Sequence, residues 1–405
     1  MALMPVDDAL ALILSDLSPL GQDEVGIAEA LGRVLAADLR AQRSQPAADM
    51  SAMDGYAVAA ADIETLPARL DVAGESAAGR AWDGRLSRGQ CTRIFTGALL
   101  PDGADTVVIQ ENTARDGDTV TILEPTAPGR NVRRAGFDFQ ADGVILPAGR
   151  RLNDRDIMLA AAANHATVPV RRRPRVGIAQ TGDELVRPGA RDPGLSDVIV
   201  SNVYGIAALA RACGADVQDL GLVRDSLDAT QAMVRQAEAL GIDVLVTSGG
   251  ASVGEHDLIA PALRAEGVNL SVHKIALRPG KPLMFGAKGQ MRVLGLPGNP
   301  VSAYVCALLF LTPILNALQG AAQVQVTPRP ARLGVDVKAN DGRRDYMRAR
   351  VHRADDGAPV VTPLPTQDSA MLSALAAADC LLICNAHAPA APAGSPCEII
   401  HLPGF

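Results

Sequence analysis

Val244-Leu245-Val246-Thr247-Ser248-Gly249-Gly250-Ala251-Ser252-Val253-Gly254-Glu255-His256-Asp257 is the stretch on which the fold turns. It opens as a short apolar strand, runs into a loop of three glycines and two serines, and leads into a helical pattern over 257–265. Bare backbone N–H groups in such a loop suit a phosphate, as does the start of the next helix. Asp257 offers a hard carboxylate oxygen for Mg²⁺ over that phosphate; the plainer alternative is a turn with Asp257 as helix cap. No Gly-Lys-Ser/Thr follows, so this is not a Walker A loop.

Working outward, the same rhythm repeats. Upstream, 176–179 is an apolar strand, and Val203, Ile206, Ala210 and Cys213 step along one helix face. A strand over 217–223 precedes a second helix carrying Met233, Ala237 and Leu240 and ending at Gly241. Downstream come a strand over 270–277 and a long helix over 300–318. Strands alternating with helices predict an α/β layered domain over 173–325 with a largely parallel sheet, whose ligands sit beyond the carboxyl ends of the strands.

The flanks differ. Residues 46–139 are dense in glycine and turn residues between short strands at 92–95, 106–110 and 119–123, which predicts an inserted β-rich domain. A helical pattern returns over 153–163 with Asn153 as its cap. The first region, expected to be mostly helical, would then be one discontinuous N-terminal domain of residues 1–45 and 140–172. Strand-like runs at 333–337, 346–351, 360–364, 380–384 and 398–402 predict a small C-terminal β-domain over 326–405. The fold class is multidomain, α/β and β.

At 405 residues and 48% hydrophobic, the chain has ample apolar material for several cores, which excludes wholesale disorder. Aromatics make up 3% and the formal charge is −7, so neither base-stacking platforms nor an overall basic footprint for nucleic acid is present. Two local basic runs, Arg130, Arg133, Arg134 and Arg171, Arg172, Arg173, Arg175, leave open whether they bind something. Asp7 and Asp8 stand where a signal peptide carries Lys or Arg, and Leu10, Ile13, Leu14 and Leu17 recur at helical spacing, so the start reads as a helix of the mature fold. The most apolar run, 304–315, is too short to span a membrane. The six cysteines form no CxxC pair and no zinc spacing with histidine; buried free thiols and a cytoplasmic location are expected.

Five further motifs carry candidate chemistry. Gly295-Leu296-Pro297-Gly298-Asn299-Pro300 is a strand-to-helix turn, either anion-friendly or simply a turn with proline at the first helical position. Lys274, Arg278 and Lys281 close a β-run around Pro279, Gly280 and Pro282, as solvated charge or as a converging anion site. Thr181-Gly182-Asp183-Glu184-Leu185 puts two carboxylates at a strand's carboxyl end. Ser51-Ala52-Met53-Asp54-Gly55-Tyr56 is an acidic loop or a plain Asp-Gly turn, and Thr96 in Ile94-Phe95-Thr96-Gly97 offers a hydroxyl to a phosphate or to its own turn.

Taken in order, Ser-Ala-Met-Asp-Gly-Tyr-Ala (51–57), Phe-Thr-Gly (95–97), Thr-Gly-Asp-Glu-Leu (181–185), Gly-Gly-x-Ser-x-Gly-x-x-Asp (249–257), Pro-Gly-Lys-Pro (279–282) and Leu-Pro-Gly-Asn-Pro (296–300) resemble one family, the molybdopterin molybdenumtransferases, a module that also forms one half of gephyrin. The resemblance spans essentially the whole chain. It implies an elongated homodimer, a three-layer molybdopterin-binding α/β domain, and an active site between that domain of one subunit and the β-domains of the other. The implied reaction inserts molybdate into adenylylated molybdopterin and releases AMP, with Mg²⁺ as cofactor and hand-over from a molybdopterin adenylyltransferase. No nucleic acid or membrane partner is implied.

By the same resemblance, Ser248, Gly249, Gly250, Ser252, Pro297, Gly298 and Asn299 cradle the pterin and its phosphate. Asp257 and Glu184, with Asp225, position Mg²⁺ and the pyrophosphate; Asp54 and Thr96 join the catalytic set. Arg278, Lys281, Ser302, Arg348 and Ser369 form the oxyanion pocket, with Lys274 close by and Asp138 behind. A doubly charged tetrahedral oxyanion needs fixed cations and hydroxyl donors, so this set is chemically coherent. Two positions depart from the family pattern: Arg278 replaces a common Lys, and Asp368 a common Gly. Alternative activities are a molybdopterin adenylyltransferase, which shares the α/β domain, and a non-catalytic molybdopterin-binding scaffold. Molybdate and tungstate share charge and shape, and the residues do not separate them.

Overall fold

Strand Val244–Ser248 is buried along its whole length, as is Met291–Leu296 beside it. Strands apolar on both faces belong in the middle of a covered sheet. In a computed structural model describing residues 3–249 and 258–403, they are the centre of a six-stranded sheet. Its order is Asp216–Val223, Arg175–Thr181, Val244–Ser248, Met291–Leu296, Pro282–Lys288, Asn269–Lys274. The first four strands run parallel, and the last two form an antiparallel edge. The hairpin between Pro282–Lys288 and Met291–Leu296 is an addition to the sequence reading, which assigned no strand at 282–288.

Period-two alternation sorts the side chains. Val176, Ile178, Val244 and Val246 face one core with Val203, Ile206 and Ala210 of helix Asn202–Ala212. Ala179 and Leu245 face the other, with Met233 and Val234 of helix Leu227–Ala239 and Ile259 and Leu263 of helix Ile259–Ala265. Helices on both faces make three layers. The long helix runs Pro300–Cys306, widens to an i→i+5 turn at Ala307–Leu311, and resumes as Thr312–Leu318. Pro313 has no N–H for the turn before it, and a widened turn accommodates that loss. This is the one segment among the described residues long and apolar enough to cross a membrane, and 78% of it is buried inside the fold. It is a core helix.

The chain divides into two compact units, one of Met1–Asp23, Gly32–Ala36 and Val170–Phe405, the other of Glu24–Leu31 and Ala37–Pro169. The helix Val6–Leu14 inserts Val6, Ala9 and Ile13 into the core of the α/β sheet, so it packs with the first unit. The expected mostly helical start is otherwise short strands and a single 3₁₀ turn at Ile27–Glu29. The amphipathic spacing was real, but it belonged to one nine-residue helix.

The first unit also holds the C-terminal sheet. Arg344–Arg353, Pro359–Pro363, Arg329–Leu333, Pro396–His401 and Cys380–Cys384 pair in that order, and the last returns to pair with the first. The ring closes around Ala349, Val361, Leu382 and Ile399. One more strand, Leu277–Arg278, joins in parallel at Arg344 and Asp345. In the second unit a six-stranded sheet orders Thr106–Ile109, Gly55–Val58, Gln90–Ile94, Ala68–Ser76, Thr119–Ile122 and Thr113–Asp116. Helix Asp154–Ala162 starts at the expected Asn153, whose side chain accepts from the N–H groups of Arg155 and Asp156.

The arginine runs are largely spent on the fold. Arg172 forks onto Asp243 at 2.8 and 3.0 Å, Arg171 donates to Leu20 O and Arg173 to Gly214 O, while Arg134 pairs with Asp49. All six cysteines stand outside any disulfide; burial pushes the thiols of Cys91 and Cys380 up to about 12, so they stay protonated.

Candidate active site

At the carboxyl ends of the parallel strands, Ser248 is fully buried and its hydroxyl donates to Pro297 O at 3.2 Å. The same oxygen accepts from Asn202 Nδ2 at 2.8 Å, which also donates to Gly298 O at 2.8 Å. Asn202 thus ties the glycine-rich loop to the Pro-Gly-Asn-Pro turn from the first residue of its helix. Gly249 stands at φ +97, and a Cβ there would meet Thr181 O at 2.4 Å. Only glycine fits that approach. Gly250, Ser252 and Asp257 lie outside the described residues.

The second turn is bound to the C-terminal domain. Asn299 Nδ2 donates to Ser369 Oγ at 2.9 Å, and Val301 N–H to Ser369 O at 3.1 Å. Ser302 follows on the same helix, 4% exposed. Arg348, on strand Arg344–Arg353, is 1% exposed. Its Nη2 donates to Asp368 O at 3.3 Å, and its Nε has no partner among the described residues. Gln367 brackets it, accepting Arg348 N–H and donating to Arg348 O. Burial disfavours the Arg348 charge, and Asp345 and Asp368 partly restore it. A buried guanidinium thus keeps one donor for which the described residues supply no acceptor.

Arg278 sits in the edge strand and pairs with Asp345 at 3.4 Å and with Asp341. Burial pushes the Asp345 carboxyl up, against the pull of Arg278 and Arg348. Lys281 is exposed and Lys274 half-buried; their carbonyls accept from Ile275 and Met4 N–H, while no ion pair of either ammonium appears among the described residues. The Asp368 side chain turns back to accept Ala370 N–H at 2.8 Å, making a local turn while its carbonyl holds Arg348. A glycine could not cap that turn.

Glu184 and Asp225 lie near Asp183, whose Oδ1 accepts Asp225 N–H at 3.3 Å. Burial, then the charges of Asp183 and Glu184, push the Asp225 carboxyl above its ordinary value. Three converging carboxylates are hard oxygen donors of the kind Mg²⁺ takes. No set of three Asp, Glu, His or Cys meets at metal-binding spacing among the described residues, so Asp183, Glu184 and Asp225 do not make a metal site by themselves.

In the second unit, Asp54 Oδ1 accepts both Thr96 N–H at 2.7 Å and Thr96 Oγ1 at 2.9 Å. Those bonds hold its carboxyl below the usual range. Gly55 is required by close approach, since a Cβ would stand 1.9 Å from Val108 O. Arg93 lies over the rings of Tyr56 and Phe95, at 5.3 and 4.7 Å. Asp138 N–H donates to Gln45 O.

Sequence reading missed Asn202, Gln367, Asp341 and Asp345. Asn202 had one signal, a polar residue preceding an otherwise apolar helix face. The others act through neighbours brought together by long-range pairing, which no local spacing reports.

A parallel-sheet domain whose two strand-end turns are tied together by Asn202, joined to a β-barrel that carries a buried arginine, defines a multidomain protein of mixed α/β and β class. Three family models match in order: the MoeA N-terminal region (domain I and II) over 4–164, the probable molybdopterin binding domain over 177–317, and the MoeA C-terminal region (domain IV) over 330–402. A molybdopterin molybdenumtransferase of Haemophilus influenzae is 33% identical over 384 residues, covering 94% of each chain. Another from Nostoc is 37% identical over 333 residues, covering 80% of this chain and 76% of the relative. A molybdopterin biosynthesis MoeA protein of Pyrococcus horikoshii superposes with TM-score 0.86 at 26% identity, covering 99% of this chain and 100% of its own. The chain belongs to the molybdopterin molybdenumtransferase family.

Proposed function

We propose that this protein inserts molybdate into adenylylated molybdopterin with release of AMP. The observation that carries this reading is Arg348, a buried guanidinium with an unused Nε, whose Nη2 donates to Asp368 O, the residue before the Ser369 that bonds Asn299. A tetrahedral oxyanion supplies the missing acceptor, and Arg278 and Lys281 add charge from the neighbouring loop. Ser248, Gly249, Pro297, Gly298 and Asn299, joined by Asn202, form the cradle for the pterin and its phosphate, with Gly250 and Ser252 continuing it. With aromatics at 3% of the chain, that grip is by backbone and polar groups.

Glu184, Asp225 and Asp257 would hold Mg²⁺, which neutralises charge on the pyrophosphate when bound. The raised Asp225 carboxyl fits this role: crowded carboxylates are stabilised by a cation. Asp54, kept ionised by Thr96, and Thr96 itself complete the catalytic set. The protein works as a cytoplasmic homodimer that receives its substrate from a molybdopterin adenylyltransferase, with Lys274 near the oxyanion pocket. Family membership supports these assignments.

The test is AMP release from adenylylated molybdopterin with molybdate or tungstate, comparing wild type with Asp257→Ala. Wild type releases AMP and the variant, still folded, does not. ATP-dependent transfer of AMP to molybdopterin, or substrate binding without AMP release, overturns the reading.

A further inference from the structure

Two carboxylates hold the Arg278 guanidinium, and they are not equivalent. Asp345 lies opposite Arg278 in the strand pairing, with its side chain 13% exposed, so the sheet edge fixes it in place. Asp341 is 53% exposed and sits in a turn. It has a second cation, Arg343 Nη2 at 3.6 Å, and it accepts Arg343 N–H at 3.0 Å. Asp341 therefore keeps a counter-charge and a hydrogen bond when Arg278 turns away. Arg348 differs from Arg278 in having no carboxylate hydrogen-bonded to it among the described residues.

We infer that Asp341 is an internal competitor of the oxyanion: its carboxylate occupies Arg278 until a tetrahedral oxyanion takes that place, and so sets the oxyanion concentration at which the pocket fills. The inference rests on the oxyanion role proposed above for Arg278. A carboxylate and one edge of a tetrahedral oxyanion offer the same pair of acceptor oxygens to a guanidinium. Apparent affinity falls by the fraction of molecules in which the binding group is occupied. Arginine matters here, because its planar fork is shared between partners more readily than a lysine point charge. A half-exposed pair is of modest strength, so removing the competitor tightens oxyanion binding about two- to five-fold.

The experiment measures molybdate binding by equilibrium dialysis and the molybdate dependence of AMP release. It compares wild type, Asp341→Asn, Arg278→Lys and the double variant of the full chain, with folding checked by circular dichroism. Asp341→Asn is expected to tighten binding about two- to five-fold and lower KM for molybdate by the same factor at unchanged kcat. In the Arg278→Lys background the same substitution has a much smaller effect. Equal tightening in both backgrounds reports net charge alone and overturns the inference. So does unchanged or weaker binding by Asp341→Asn while wild type binds normally. If folded wild type binds no molybdate at all, the oxyanion pocket itself is wrong and the competitor falls with it.

Discussion

Asp54 shows what one pair of hydrogen bonds decides. Both come from Thr96, one from its N–H and one from its hydroxyl. The carboxyl is depressed, so it is ionised throughout the neutral range, and its favourable contribution is present above about pH 4 and lost as pH falls through the depressed value. Thr96→Val removes the hydroxyl bond and keeps the N–H. The Asp54 titration followed by NMR then moves up toward the ordinary carboxylate range, without reaching it. Asp225 behaves oppositely. Burial and its acidic neighbours raise it, so Asp183→Asn lowers its titration. Gly249→Ala forces a Cβ against Thr181 O at a positive φ, and destabilises the fold by more than about 1 kcal/mol in denaturant titration.

At the scale of elements, Asn202 joins two loops that are far apart in sequence. Asn202→Ala leaves the Gly298 carbonyl without that donor and the Ser248 hydroxyl, among the described residues, with its Pro297 bond alone; the site is 6% exposed, so the expected loss is about 1–3 kcal/mol. AMP release falls further than stability accounts for, because the proposed phosphate cradle loosens. Asn153→Ala costs about 1 kcal/mol by comparison, a helix cap lost and nothing else. That cap was legible in the sequence because its partners are two and three residues away. So were the parallel strands, whose apolar runs are bounded by turn residues. The strand Pro282–Lys288 was not, because Lys281, Pro282 and Gly286 read as loop and Leu283 to Phe285 is too short to show a period. The helix Val6–Leu14 was legible as a helix but not as part of the α/β core, since spacing reveals an apolar face and not what covers it. Asp345 and Gln367 were invisible for the same reason: their roles exist only once the barrel strands have paired.

Across the whole molecule, carboxylates held down by partners dominate the pH response. Asp7 is lowered by its bonds to Arg344, and Asp49 by the Ala135 N–H and by Arg134. Each contributes stability present above about pH 4 and lost as acid protonates it. Asp225 and Asp345, raised by burial, run the other way, their contribution fading as pH rises through the raised values. Denaturant midpoints should therefore fall steeply below about pH 4 and change little near neutrality, and a midpoint that held at pH 3 would contradict this account. One feature reaches beyond stability. The C-terminal barrel closes on itself, yet it carries an extra strand, Leu277–Arg278, that precedes it by some fifty residues in the chain and brings along a cation assigned to the oxyanion pocket. Anyone grafting this barrel onto a relative, or swapping it out to change oxyanion preference, inherits a seam that a cut at residue 326 severs. A working chimera must carry the 277–278 strand with its own barrel, so the exchangeable module is not the one that domain boundaries along the chain suggest.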